Sequence, residues 1–185
     1  PKMYIGGQQK RPDRYHVRPV KAPDGTLLGQ VGDGSRKDVR DAVEAAWAAF
    51  PGWGKRSAHD RSQICFYIAE NLAARRGEFA NTIARMTGRD LASAEDEVDA
   101  AISRLFTYAA YADKYGGDVQ ETTLYGLTVA LNEPVGVVGV VCPSACPLLG
   151  FVSLVAPAVV RGNTVVAVPS EPHPLAATDL YQVLD

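Results

Sequence analysis

The chain of 185 residues is 46% hydrophobic and 22% charged, with 19 basic and 21 acidic side chains and a formal net charge of -2. Length and composition suit a globular domain with a real core and set aside disordered and fibrous classes. The near balance of charge removes the electrostatic motive for nucleic acid or an anionic membrane as partner.

In chain order, residues 3–32 read as short strands and turns. Met3-Tyr4-Ile5 precedes Gly6-Gly7, and Pro23-Asp24-Gly25 is a turn signal before Leu27-Leu28-Gly29. Lys10, Arg11, Arg14, Arg18 and Lys21 read as a solvated surface, because aromatic residues are not interleaved in the pattern a nucleic-acid platform needs. Helices follow. Ser35 stands three residues before Asp38, an acidic capping box, ahead of the stripe Val39, Val43, Trp47 and Phe50, which Pro51-Gly52 should end. Ser57 and Asp60 repeat that spacing before Ile64, Ile68 and Leu72. A third helix is expected from about 78 to 86, stopped by Gly88. Ser93 and Asp96 should open a long amphipathic helix carrying Val98, Ile102, Leu105 and Phe106, which ends before Gly116-Gly117.

The period then changes. Tyr125, Leu127, Val129 and Leu131 alternate with Gly126, Thr128, Ala130 and Asn132, as in a half-buried strand, and residues 118–122 can pair with it as a β-hairpin. Residues 135–142, VGVVGVVC, are apolar on both faces, as a buried parallel strand is. Residues 147–161 read as a helix, with Pro147 suited to its first turn, Gly162 to its end, and Pro157 a flaw that can kink it. Residues 163–168, NTVVAV, form a second buried strand, and Pro172 and Pro174 begin a further helix running to Asp185. This β-α-β unit implies a parallel sheet with a right-handed crossover. Two strands do not make such a sheet alone, so a longer parent protein with more strands is expected.

The three cysteines, Cys65, Cys142 and Cys146, describe no disulfide framework. No apolar run reaches the ~18 residues of a membrane span, and the start PKMYIGG lacks the apolar stretch of a signal peptide. A cytoplasmic protein is expected. His16, His59 and His173 are isolated, and no spacing suggests a metal site.

A β-α-β unit offers a dinucleotide two places. One is the turn after the first strand, where amides at a helix start face phosphate. Here that turn is Pro143-Ser144-Ala145-Cys146-Pro147, with no Gly-x-Gly-x-x-Gly. The other is the end of the second strand, where an acid can accept from ribose hydroxyls. Glu171 stands there, although a glutamate between two prolines also suits a helix start.

The stretches EPVGVVGVVCPSACPLL, APAVVRGNTVVAVPSE and PLAA, between Glu133 and Ala177, resemble the aldehyde dehydrogenase superfamily in order, spacing and residue type. The Ile5-Gly6-Gly7 start, the Lys37-Asp38-Val39 helix opening, the Phe50-x-x-Trp53 helix end and the Thr87-Gly88-Arg89 turn extend the resemblance over essentially the whole chain. Gly6-Gly7-x-x-x-Arg11-Pro12-Asp13 and the run from Gly34 to Arg40 look most like the degenerate second module of the two-module family-16 aldehyde dehydrogenases. The resemblance implies an α/β fold in which residues 1–185 are the amino-terminal part of an NAD-binding domain. Residues 1–116 would hold strands and helices, 117–134 a hairpin that is a possible oligomerisation arm, and 135–185 a βαβα unit opening a Rossmann-like parallel sheet. It also implies NAD as cofactor, held by Cys142, Pro143 and Ser144 after the first strand and by Val168, Pro169, Ser170 and Glu171 after the second.

The departures from the family matter as much. Its asparagine, which stabilises the oxyanion, is Ala145 here, and losing one such donor costs ~10²–10³ in rate. Its ribose-binding lysine is Val168, and the tryptophan of its turn is Ser144. Its catalytic cysteine and general base match positions beyond Asp185, so no catalytic residue is assigned in this chain. Cys142 or Cys146 would be activated at a helix start, yet a small core residue is the simpler reading. The expected function is therefore a non-catalytic module that supports assembly, as a homo-oligomer or against another aldehyde dehydrogenase module, with weak or absent NAD binding. The alternative is an NAD-dependent enzyme oxidising an aldehyde to a carboxylic acid with its cysteine beyond residue 185. A plain nucleotide-binding protein would rest on Glu171 alone.

Overall fold

The computed structural model describes residues 2–123 and 125–184. Two antiparallel pairs open the chain. β1 (Met3–Ile5) meets β2 (Gln8–Lys10) across Gly6-Gly7, whose φ values of 63° and 70° suit glycine. β3 (Val17–Lys21) meets β4 (Leu27–Gly32) around the predicted turn and turns Val20 and Val31 into the core.

Four helices follow. α1 (Arg36–Gly54) opens on the capping box: the Ser35 hydroxyl accepts from the Lys37 and Asp38 amides, and Asp38 accepts back from the Ser35 amide at 2.8 Å. Pro51-Gly52 does not end this helix. It runs to Gly54 because Trp53 anchors the last turn, donating its indole N–H to the Val159 carbonyl at 2.9 Å. α2 (Ala58–Ala74) is capped by Ser57, which accepts from the Asp60 amide at 3.0 Å. α3 (Arg76–Thr87) stops at Gly88, with φ 75°. α4 (Leu91–Tyr111) opens earlier than Ser93 and Asp96 suggest. Asp90 is its cap and accepts from the Ser93 amide at 2.8 Å, a stronger acceptor placed directly after the Gly88 break. Leu72, Phe79, Ile83, Met86, Val98 and Leu148 fill the core that these helices share with the later helix over residues 147–160.

The hairpin forms from β5 (Asp118–Gln120) and β6 (Thr128–Ala130) and is shorter than the 125–131 alternation suggests. Gly126, at φ 137°, bends the chain before the ladder begins, so Tyr125 and Leu127 precede the strand. Nor is its face half-buried within this chain: Leu127 is 77%, Val129 47% and Leu131 72% exposed.

β7 (Val137–Val141) and β8 (Thr164–Val168) pair in parallel, with Val137 opposite Thr164 and Val141 opposite Val168. α5 (Pro147–Val160) joins them and stays helical through Pro157. Its last carbonyls are satisfied from outside, at Val159 by Trp53 and at Val160 by Arg61 Nε, 2.9 Å away. α6 (Leu175–Asp179) and α7 (Tyr181–Leu184) complete the unit with a break at Leu180, where one helix was expected; Asp185 lies outside the described residues. The fold is thus α/β, with a helical core carrying the start of a parallel sheet.

Candidate nucleotide-facing site

The turn after β7 and the turn after β8 meet at the carboxyl ends of the parallel strands, the edge where open α/β sheets bind ligands. They are joined directly. The Cys142 amide donates to the Val168 carbonyl at 2.9 Å, and His173 Nδ1 lies 3.2 Å from the Ser144 carbonyl. The Ser170 hydroxyl accepts from the His173 amide at 3.3 Å, while Arg18 of β3 donates to the Glu171 carbonyl at 2.6 Å. Folding therefore gathers Cys142, Pro143, Ser144, Val168, Pro169, Ser170 and Glu171 in one place. It also adds His173 and Arg18, which their distance in sequence conceals.

The side chains there differ in what they offer. Glu171 is exposed, with its carboxylate open to solvent. Val168 is 50% exposed and, by strand alternation, shares the α1-facing side of the sheet with Val141 and Val166. Ser170 is fully buried and occupied with the turn. Ala145 is exposed and carries only a methyl group.

The start of α5 is held from a distance. Cys146 supplies no side-chain cap, and Pro147 has no N–H to give. The next two amides, Leu148 and Leu149, both donate to Glu97 Oε1, at 2.9 and 3.2 Å. Glu97 is buried on the α4 stripe formed with Ala94, Val98, Ala101 and Leu105. Its other oxygen pairs with Arg89, whose Nε reaches Thr87 Oγ1 at 3.3 Å. The sequence reading does not single out Glu97. The available signal was its spacing, which sets a charge in the middle of an apolar helix face.

Cys65 and Cys142 are poorly placed for nucleophilic work. Burial raises the Cys142 pKa above that of an ordinary thiol and pushes Cys65 to about 11. His173 engages the Ser144 carbonyl. Among the described residues no cluster of three His, Cys, Asp or Glu side chains is arranged to hold a metal, and no helix is long and apolar enough to cross a membrane.

These residues fit the phosphates of a dinucleotide badly. Glu171 offers an acceptor for a ribose hydroxyl, Val168 offers no polar side-chain atom, and the Leu148 and Leu149 amides at the start of α5 are already taken by Glu97.

Residues 9–185 match the aldehyde dehydrogenase family. The chain is 35% identical over 173 residues to 2-hydroxymuconic semialdehyde dehydrogenase of Pseudomonas putida, covering 89% of this chain and 35% of that protein. It is 33% identical over 183 residues to the NADP(+) D-glyceraldehyde dehydrogenase of Thermoplasma acidophilum, covering 95% of this chain and 36% of that protein. Betaine aldehyde dehydrogenase of Staphylococcus aureus, solved in complex with NAD+, superposes with a TM-score of 0.95 at 27% identity, over 99% of this chain and 37% of that one. The chain thus spans little more than a third of the length of the relatives it matches. With the fold, the order of the two turns and the match over nearly every residue in agreement, the chain belongs to the aldehyde dehydrogenase family.

Proposed function

We propose that this chain acts as a non-catalytic aldehyde-dehydrogenase-type module, most like the degenerate second module of the two-module family-16 enzymes, and supports assembly with a second copy or an active module. The hairpin carries this reading. Val119, Tyr125, Leu127, Val129 and Leu131 are all exposed on an arm paired over three residues, and so short a pair needs a covering surface. The strand-end turns support it from the other side. Ala145 has no donor for an oxyanion, and Val168 has none for a ribose, so NAD is expected to bind weakly or not at all.

The test is Leu127→Asp with Val129→Asp in the full-length protein, followed by size exclusion with light scattering. A smaller, still folded species, or separated modules, is the expected result. The exposed fractions of 77% and 47% amount to little more than one whole aliphatic side chain, or roughly 2–4 kcal/mol of lost burial per copy. That loosens association by roughly 30- to 700-fold. Unchanged mass and unchanged thermal stability would show that the hairpin holds nothing together.

One observation favours a second reading. The relatives are named as dehydrogenases, and this chain covers only part of each. In that reading an NAD-dependent enzyme oxidises an aldehyde to a carboxylic acid with a cysteine supplied beyond residue 185. NADH formation by the full-length protein with a panel of aldehydes, or its absence, separates the two readings.

A further inference from the structure

We infer that Glu97 is a resident anion at the start of α5: the protein's own carboxylate fills the position where a β-α-β nucleotide site receives phosphate. A ligand at the ends of β7 and β8 then has no phosphate contact with the Leu148 and Leu149 amides.

A helix start draws anions because its first amides lack partners inside the helix and its dipole is positive at that end. In α5 the first residue is Pro147, so Leu148 and Leu149 are the donors that matter. Both point at one oxygen of Glu97, at 2.9 and 3.2 Å. This is the arrangement a phosphate oxygen would adopt, supplied from α4. The Glu97 side chain is 2% exposed, so an incoming anion would have to expel a buried carboxylate rather than exchange with water. Arg89 neutralises the second oxygen and leaves the carboxylate little reason to depart. The same geometry holds a latent site. Without Glu97, two amides and the Arg89 guanidinium would converge on an empty anion position. The position of Glu97 does not rest on the proposed function, because its partners are backbone amides and Arg89.

The experiment uses inorganic pyrophosphate and the full-length protein at fixed ionic strength. Crystals of the wild type soaked in pyrophosphate should show no anion on the Leu148 and Leu149 amides. Calorimetry with Glu97→Ala should show pyrophosphate binding strengthened by about tenfold or more over wild type, as expected for gaining contacts to a charged ligand. A soaked crystal of that variant should place the anion against the two amides and Arg89. Glu97→Gln keeps an acceptor in place and should not show the gain; a plain cap that only stabilises the helix would move Tm in these variants but not pyrophosphate affinity. An anion on those amides in the wild type, with Glu97 displaced, overturns the inference, as does a folded Glu97→Ala with wild-type affinity. Should Glu97→Ala fail to fold, the wild-type soak decides.

Discussion

Asn163 joins the three parts of the β-α-β unit, and its removal has a cost that follows from geometry. The side chain is buried between Gly162 and β8. Its Oδ1 accepts from the Gly136 amide at 3.1 Å, just ahead of β7, and its Nδ2 donates to the Ala158 carbonyl in α5 at 3.1 Å. Asn163→Ala leaves the Gly136 N–H without a partner, a cost of ~1–3 kcal/mol. The Ala158 carbonyl still receives the Asn163 backbone amide, so the second bond costs only its net worth, ~0.5–1.5 kcal/mol. Together these give a loss of about 2–4 kcal/mol, or a fall in Tm of roughly 4–16 °C for a chain of this size. Urea unfolding followed by far-UV circular dichroism measures it, with the midpoint moving and the slope unchanged. Asn163→Asp sharpens the test. One carboxylate oxygen would face the Ala158 carbonyl and the charge would be buried, so the folded-state pKa rises. That variant should be least stable at neutral pH and recover as the pH falls through the raised value, because protonation restores a donor. A loss below about 0.5 kcal/mol for Asn163→Ala, within the range of ordinary surface changes, would refute the bridging role.

Asp38 gives the opposite pH dependence. Burial works to raise its pKa, but hydrogen bonds from Ser35 and Asp13 and the charge of Lys37 outweigh it and hold the carboxyl below the usual aspartate value. Its contribution is complete above the unfolded-state pKa and is lost as the pH falls through the lower folded value, so Asp38→Asn should be less stable than wild type at pH 7, with the gap closing below about pH 4 in acid titrations. Among the thiols, Cys146 should react first with iodoacetamide at pH 8 and Cys65 last. Cys65 is 3% exposed and its pKa is pushed to about 11, so equal labelling rates by mass spectrometry would contradict this burial. Val168→Lys in the full-length protein should strengthen NAD binding by about tenfold or more, the worth of a hydrogen bond to a charged group, and unchanged calorimetric affinity would detach the end of β8 from the ribose.

Local chemistry made much of this fold legible in the sequence. Ser35 with Asp38 and Ser57 with Asp60 announced two helix starts, and Gly88 announced a helix end, because caps and left-handed stops are made by residues close together in the chain. The apolar runs 135–142 and 163–168 marked the parallel pair, and the residues between Glu133 and Ala177 marked the family. Part of what failed was decided by distant partners. Pro51 does not end α1, because Trp53 is tied to Val159 from another helix. Alternation from 125 to 131 became a short, exposed arm, since a period of two records which residues share a side but not whether anything covers it. The candidate site divides in the same way. The sequence placed Ser144, Ala145, Val168 and Glu171 at strand ends, where neighbours along the chain set their positions. Only the tertiary structure brought Arg18 and His173 to those turns, and only it put Glu97 on the amides of α5, through hydrogen bonds spanning dozens of residues. Sequence alone determined which groups were on hand; packing of α4 against α5 decided that the anion at this helix start would be the protein's own.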